Sequence, residues 1–219
     1  MPSPYIVRSF AENCYYHVFN RGLDKREIFK DPSDYKIFKY YLFIYTAPLK
    51  RVLSFYPQLK PRLQNNNLSN ELDLIAYCLM PNHIHLLIHQ KTKSGVSKFM
   101  KQVSNAYTKY FNTKYERRGN LMESRFKAVQ ITSESLLAHV SRYIHLNPVV
   151  ANIVKNTEMY PWSSYKSYIL DNQKESKVIC EKEIILNQFK TIKDYKNFVQ
   201  GQIEYAKVLA QIKHLTIEN

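Results

Sequence analysis

Two apolar runs, DLIAYCL (73–79) and HIHLLIHQ (83–90), flank Met80-Pro81-Asn82. Three intervening residues are a normal hairpin length, so the spacing predicts two antiparallel strands and commits the chain to a sheet. Side chains alternate along a strand, which puts His83, His85, Leu87 and His89 on one face and Ile84, Leu86 and Ile88 on the other. A core face does not normally take three titratable rings, because each buried imidazole needs a hydrogen-bond partner. His83 and His85 stand about 7 Å apart along the backbone, close enough for two ring nitrogens to reach one cation. An isolated His-x-His also arises by chance, so a metal pair and a strand that merely carries imidazoles both stay open here.

Around this hairpin the other elements follow from local signals. CYYHVFNRG (14–22) reads as a strand that breaks at Asn20–Gly22. Asp31, Pro32 and Asp34 form an N-cap, a first-turn proline and a capping-box acid ahead of YKIFKYYLFIY, predicting a helix over 32–46. Residues 47–70, with three prolines and QNNNLSN, read as a polar connection or mobile loop. From Ser97 onward, Phe99, Met100, Val103, Ala106, Tyr107, Tyr110 and Phe111 recur at helical spacing. KAVQIT (127–132) is a short strand, and Ser133 N-caps a helix that Pro148 should stop. Residues 181–213 read as one or two amphipathic helices. This alternation of strands and helices around a hairpin predicts an α+β fold, an antiparallel sheet with helices packed on it.

Composition narrows the function classes. The 32 Lys plus Arg against 18 Asp plus Glu give a net charge of +14 and draw the chain toward polyanions such as nucleic acid. The excess is concentrated: residues 91–130 carry ten cations and two anions. A merely soluble basic surface is the alternative, since charge alone identifies no ligand. No apolar run is long enough to span a membrane and the N-terminus lacks a signal-peptide pattern, so a soluble, cytoplasmic protein is expected. Cys14, Cys78 and Cys180 are odd in number and widely spaced, with no Cys-x-x-Cys pair, so neither a disulfide framework nor a thiolate zinc site is indicated; they are expected to be reduced and buried.

A metal needs more than two ligands. In SRYIHLNP, Tyr143 and Asn147 lie four apart on one helix face while His145 points elsewhere. An amide oxygen, two imidazoles and waters suit Mg²⁺ or Mn²⁺ better than a closed zinc site. Tyr143 beside such an ion is a potential oxygen nucleophile, or else simply one of 18 tyrosines packed in the core.

Taken together, YHVFNRG (16–22), AYCLMPNHIHLL (76–87), NAYTKYFN (105–112), GNLMESRFKAV (119–129), LLAHVSRYIHLNPVVANIV (136–154) and YPWSSY (160–165) resemble the REP-associated tyrosine transposases of the HUH single-tyrosine transposase superfamily. The resemblance runs in order over about residues 14–168. It implies a ferredoxin-like domain (1–168) of the HUH endonuclease fold followed by a helical C-terminal extension (169–219). It also implies a metal-dependent single-strand DNA endonuclease and strand transferase acting beside hairpins through a 5′-phosphotyrosine. By the same resemblance, His83 and His85 bind the divalent ion, Asn147 completes its coordination, and Tyr143 is the nucleophile. Where relatives often read G-x-L-W-x-x-R-F, this chain has Gly119, Leu121, Met122, Arg125 and Phe126, which leaves a packing or base-stacking role of the missing tryptophan open.

Single-stranded or hairpin DNA is therefore the expected partner, with the protein nucleoid-associated when bound. A homodimer is possible, and no membrane or small-molecule cofactor is expected. Arg117, Arg118, Arg125 and Lys127 are the expected DNA contacts, with Arg21 in the FNRG turn a fifth; each could equally be a solvated surface charge. The rival readings are a non-catalytic nucleic-acid-binding protein on the same scaffold, and a zinc-dependent hydrolase of small substrates, which would leave the basic stretch unexplained.

Overall fold

The hairpin is present in the computed structural model, which describes residues 9–123, 125–170 and 180–204. Strands β2 (Leu72–Met80) and β3 (His83–Gln90) pair antiparallel with Met80 opposite His83. On its other edge β3 pairs antiparallel with β1 (Cys14–Arg21), and β1 in turn with β4 (Lys127–Ile131), giving the strand order β2-β3-β1-β4. Helix α1 (Pro32–Thr46) lies between β1 and β2 in the chain, and α4 (Gly95–Lys114) between β3 and β4. A β-α-β-β-α-β chain with this strand order is the ferredoxin-like arrangement, the α+β fold expected from the sequence.

The strand alternation holds, but both faces of the sheet are covered. Ile84, Leu86 and Ile88 join Tyr16, Val18, Leu74, Tyr77 and Leu79 in a core roofed by α1 and α4. Helix α4 buries Val96, Phe99, Met100, Val103, Tyr107 and Phe111, each contributing on the order of 1.5–3 kcal/mol for an apolar side chain removed from water. Leu87 faces the other way, into a second core with Cys78, Met80 and Ile131. That core is closed by α5 (Glu134–Val150), α6 (Tyr165–Ile169), α7 (Glu183–Leu186) and α8 (Ile192–Gln200), through Leu137, Ile144, Tyr168, Ile185, Tyr195 and Val199. A register shift between Leu74 and Ala76 turns both Ile75 and Ala76 toward this second core.

Local signals explain most boundaries. The Asp31 carboxylate accepts from the backbone of Ser33 and Asp34, and the Asp34 carboxylate reaches back to the backbone of Asp31, a complete capping box. Asp34 is fully buried and also accepts from Lys114, Tyr110, Tyr115 and the Lys30 backbone. Burial alone would raise its carboxyl pKa, but these donors outweigh it and the net shift is downward. This cluster ties the start of α1 to the end of α4. The Ser133 hydroxyl accepts from the Leu136 backbone as the N-cap of α5.

Three expectations are corrected. Residues 47–70 hold two short helices, α2 (Leu49–Phe55) and α3 (Pro61–Asn65), because Pro48 and Pro61 sit at helix starts, where a missing N–H costs nothing. Buried Val52, Leu59 and Leu68 anchor this segment, and the Asn67 amide donates to the Ile44 and Ala47 carbonyls at the end of α1. Helix α5 continues through Pro148 to Val150; the proline removes one donor in the last turn, and its burial with Val149 compensates. Of the cysteines, all free, only Cys78 is buried, while Cys14 and Cys180 are partly exposed. The helices expected over 181–213 appear as α7 and α8 as far as residue 204, and 205–213 lie outside the described residues.

Candidate active site

Helix α5 packs across the second face of the sheet and presents Tyr143 and Asn147, one turn apart, to the end where β1 and β3 carry Arg21 and His83 in register. Arg21, His83, His85, Lys127, Tyr143 and Asn147, all singled out from the sequence, line one cleft of about 360 Å³ with Asn20, Asn82 and Glu123. Arg117, Arg118 and Arg125 do not line it. His89, six residues along β3, is away from the cleft, stacked on Tyr15 and paired with Asp73.

The ring nitrogens are set by their neighbours. The Asn82 amide nitrogen donates to the Lys25 carbonyl, which turns its Oδ1 to His83 Nδ1 at 2.6 Å. His83 must therefore carry its proton on Nδ1, leaving the Nε2 lone pair available. His85 Nδ1 lies 2.9 Å from Nε2 of His17, on the neighbouring strand, with the ring centroids 5.1 Å apart. The His83 and His85 rings stand nearly perpendicular with centroids 4.9 Å apart. Burial depresses all three: His17 to about 4, His83 to about 4 with help from the Arg21 cation, and His85 well below its ordinary value with help from the other two rings. At neutral pH they are uncharged, as ligands must be.

Tyr143 is half exposed and places its ring edge-on to His85 and His17, at 5.6 and 5.7 Å between centroids. It is not a core tyrosine. Burial against these rings raises its phenol above the ordinary value near 10, while the neighbouring Asn147 side chain pulls it down. The Asn147 amide nitrogen donates to the Tyr143 backbone carbonyl at 2.9 Å, which leaves Oδ1 as its acceptor for anything in the cleft. Two imidazole Nε2 atoms and an amide oxygen fit a divalent cation that keeps other positions for oxygen ligands. Among the described residues no group of three or more His, Cys, Asp or Glu side chains could hold a metal, so a closed zinc site is not built here. His145, facing away as expected, is buried between Tyr195 and Ser164.

The basic stretch divides. Lys91 pairs with Asp73, Lys98 with Glu71 and Lys114 with Asp31 and Asp34. Arg117 donates to Asn112 and lies over the Phe111 ring. Arg118, Arg125 and Lys127 are exposed, with no ion pair among the described residues. Arg21 gives both Nε and a terminal nitrogen to Glu123 Oε1. Met122, at the position of the missing tryptophan, is buried in the core, so this site serves packing and not base stacking. Phe19, Asn20, Asn82 and Glu123 are the cleft residues without a role in the sequence reading, and His17, behind the lining, meets His85. His17 shares the period-two face of Tyr15 and Phe19, but only the β1–β3 register brings it to His85.

Among described residues no helix is long and apolar enough to cross a membrane. No curated protein matches the sequence. Among solved structures, a REP-associated tyrosine transposase bound to a REP hairpin is similar at 15% identity, over 74% of this chain and 83% of that one, with a TM-score of 0.49. The family model of IS200-like transposases matches residues 10–147, which run from just ahead of β1 to the Asn147 that follows Tyr143 by one helical turn. With well over half of its length matched in this way, the chain belongs to the family of IS200-like transposases.

Proposed function

We propose that the protein is a metal-dependent single-strand DNA endonuclease and strand transferase acting beside DNA hairpins, with Tyr143 as nucleophile. The observation that carries this reading is the half-exposed Tyr143 ring set against His85 in the cleft that also holds His83, Asn147, Arg21 and Lys127. The hairpin substrate rests on the resemblance of AYCLMPNHIHLL and RYIHLNPV to the REP-associated tyrosine transposases.

His83 and His85, through Nε2, and Asn147, through Oδ1, would hold Mg²⁺ or Mn²⁺. When bound, the ion supplies positive charge that polarises the scissile phosphate and offsets the charge growing in the transition state. Lys127 and Arg21 orient the phosphate. The Tyr143 oxygen attacks phosphorus in line and loses its phenolic proton to solvent, while the departing 3′ oxygen takes up a proton. The products are a 5′-phosphotyrosine and a free 3′-hydroxyl, and a hydroxyl from a second strand reverses the step to join ends. Because the phosphoester energy is kept, no nucleotide triphosphate is consumed.

Cleavage of a labelled hairpin oligonucleotide with Mg²⁺ or Mn²⁺ tests this. Tyr143→Phe should abolish the covalent adduct, and His83→Ala or His85→Ala should abolish cleavage while most DNA affinity, supplied by the cationic surface, remains. Cleavage by Tyr143→Phe at the wild-type rate would refute the covalent mechanism. Tight, salt-sensitive binding without any cleavage by wild type would favour a binding module on the same scaffold.

A further inference from the structure

The His17–His85 contact reaches beyond the cleft's expected ligands. His17 lies on β1 opposite Leu87, one diagonal step from His85 on the same sheet face. Its Nε2 meets His85 Nδ1 at 2.9 Å with ring centroids 5.1 Å apart and 22° between planes, so the two rings meet edge to edge. Phe19 and Tyr143 flank the pair, with centroids 5.1 and 5.7 Å from His17. Two neutral imidazoles share one proton in such a bond, so it has two possible senses. If His85 donates from Nδ1, its Nε2 is a bare lone pair. If His17 donates, the His85 proton sits on Nε2 and that atom cannot bind a cation. His83 meets the same requirement through a different partner, the Asn82 amide oxygen.

We infer that His17 is a positioning residue: its Nε2 accepts the Nδ1 proton of His85, fixing that ring's tautomer and orientation so that Nε2 faces the cleft. The inference rests on the metal-dependent reading of the cleft. His17 is not itself a third ligand in this arrangement, since its Nε2 lone pair is spent on His85. The strand pairing supplies the rigidity, because β1 and β3 are the two central strands of the sheet.

The test compares His17→Phe, which keeps the ring packing and removes the acceptor, with His17→Gln, whose amide oxygen can accept from His85. Mn²⁺ affinity is read by titration calorimetry or electron paramagnetic resonance without DNA, alongside thermal melting. His17→Phe should weaken Mn²⁺ binding by roughly 10–100-fold, as loss of an outer-shell partner does, while His17→Gln stays within about threefold of wild type. In the metal-free wild type, ¹⁵N spectra should show the His85 proton on Nδ1, the signal being assigned through His85→Gln. Unchanged Mn²⁺ affinity in a folded His17→Phe, equal losses in both variants, or a His85 proton on Nε2 would each overturn the inference. Failure of wild type to bind Mn²⁺ would overturn it together with the metal reading, an outcome distinct from the other three.

Discussion

Glu123 is the acidic residue lining a cleft whose other titratable side chains are Arg21, Lys127, His83, His85 and Tyr143. Its Oε1 takes both Arg21 donors, at 3.0 and 2.8 Å, so an incoming phosphate has to compete with this carboxylate for Arg21. Both side chains are partly exposed, and such a pair is worth no more than about 1 kcal/mol. Glu123→Gln should therefore tighten binding of single-stranded DNA by up to about fivefold at low salt, with the gain vanishing as salt rises. Fluorescence anisotropy at two ionic strengths checks this, and weaker binding by the variant would show that Glu123 aids the site. At this scale the sequence was legible where one strand or helix decides geometry. Alternation placed His83 and His85 together, and helical spacing placed Tyr143 with Asn147. It was silent where two elements meet: which β1 residue lies beside His85 depends on register, and two ion-pairing partners 102 positions apart, Arg21 and Glu123, share no local pattern.

Among elements, α5 matters most because it carries both Tyr143 and Asn147. Between them His145 is fully buried, its Nδ1 2.8 Å from the Tyr195 hydroxyl and its Nε2 2.8 Å from Ser164 Oγ. Burial pushes this imidazole down to about 3, so it is neutral, with one nitrogen donating and the other accepting. Ser141 also meets the Tyr195 hydroxyl, at 3.2 Å. Helix α8 thus hydrogen-bonds to α5 through the Tyr195 phenol, beside the Phe198 ring that packs on Arg142 and His139. Tyr195→Phe leaves a buried ring nitrogen without its partner and should cost about 1–3 kcal/mol. For a chain of this size that lowers the melting temperature by roughly 2–4 °C per kcal/mol, measurable by calorimetry; an unchanged melting point would show that the phenol does not hold α5. Helices with their own caps, α1 and α5, could be read from sequence. The short α2 and α3 could not, because five to seven residues show too little periodicity and their prolines, read as breakers, instead start them.

For the whole molecule, it is the local charge count, and not the net charge of +14, that overstates what is available to a polyanion. The linear count over residues 91–130 treats ten cations as equivalent, yet the fold brings acids from distant segments onto three of them: Asp73 to Lys91, Glu71 to Lys98, and Asp31 with Asp34 to Lys114. Sequence composition could predict a polyanion partner but not which charges face it, because that assignment is made by tertiary contacts. The structure separates two classes. Lys127 is exposed at the cleft with no ion pair among the described residues, whereas both oxygens of Glu71 accept from Lys98 Nζ, at 2.7 and 2.8 Å. A lysine that contacts phosphate releases a counterion when DNA binds, so removing it lowers the slope of log affinity against log salt by about 1, or about 0.7 for single strands. Lys127→Ala should show that decrease and weaken binding to hairpins of any sequence to a similar extent. Lys98→Ala should leave the slope unchanged, since its charge is already matched by Glu71. Salt titrations of hairpin binding for the two variants decide the matter: equal slope changes would mean that the Lys98–Glu71 pair opens on DNA and that the linear charge count was the better guide.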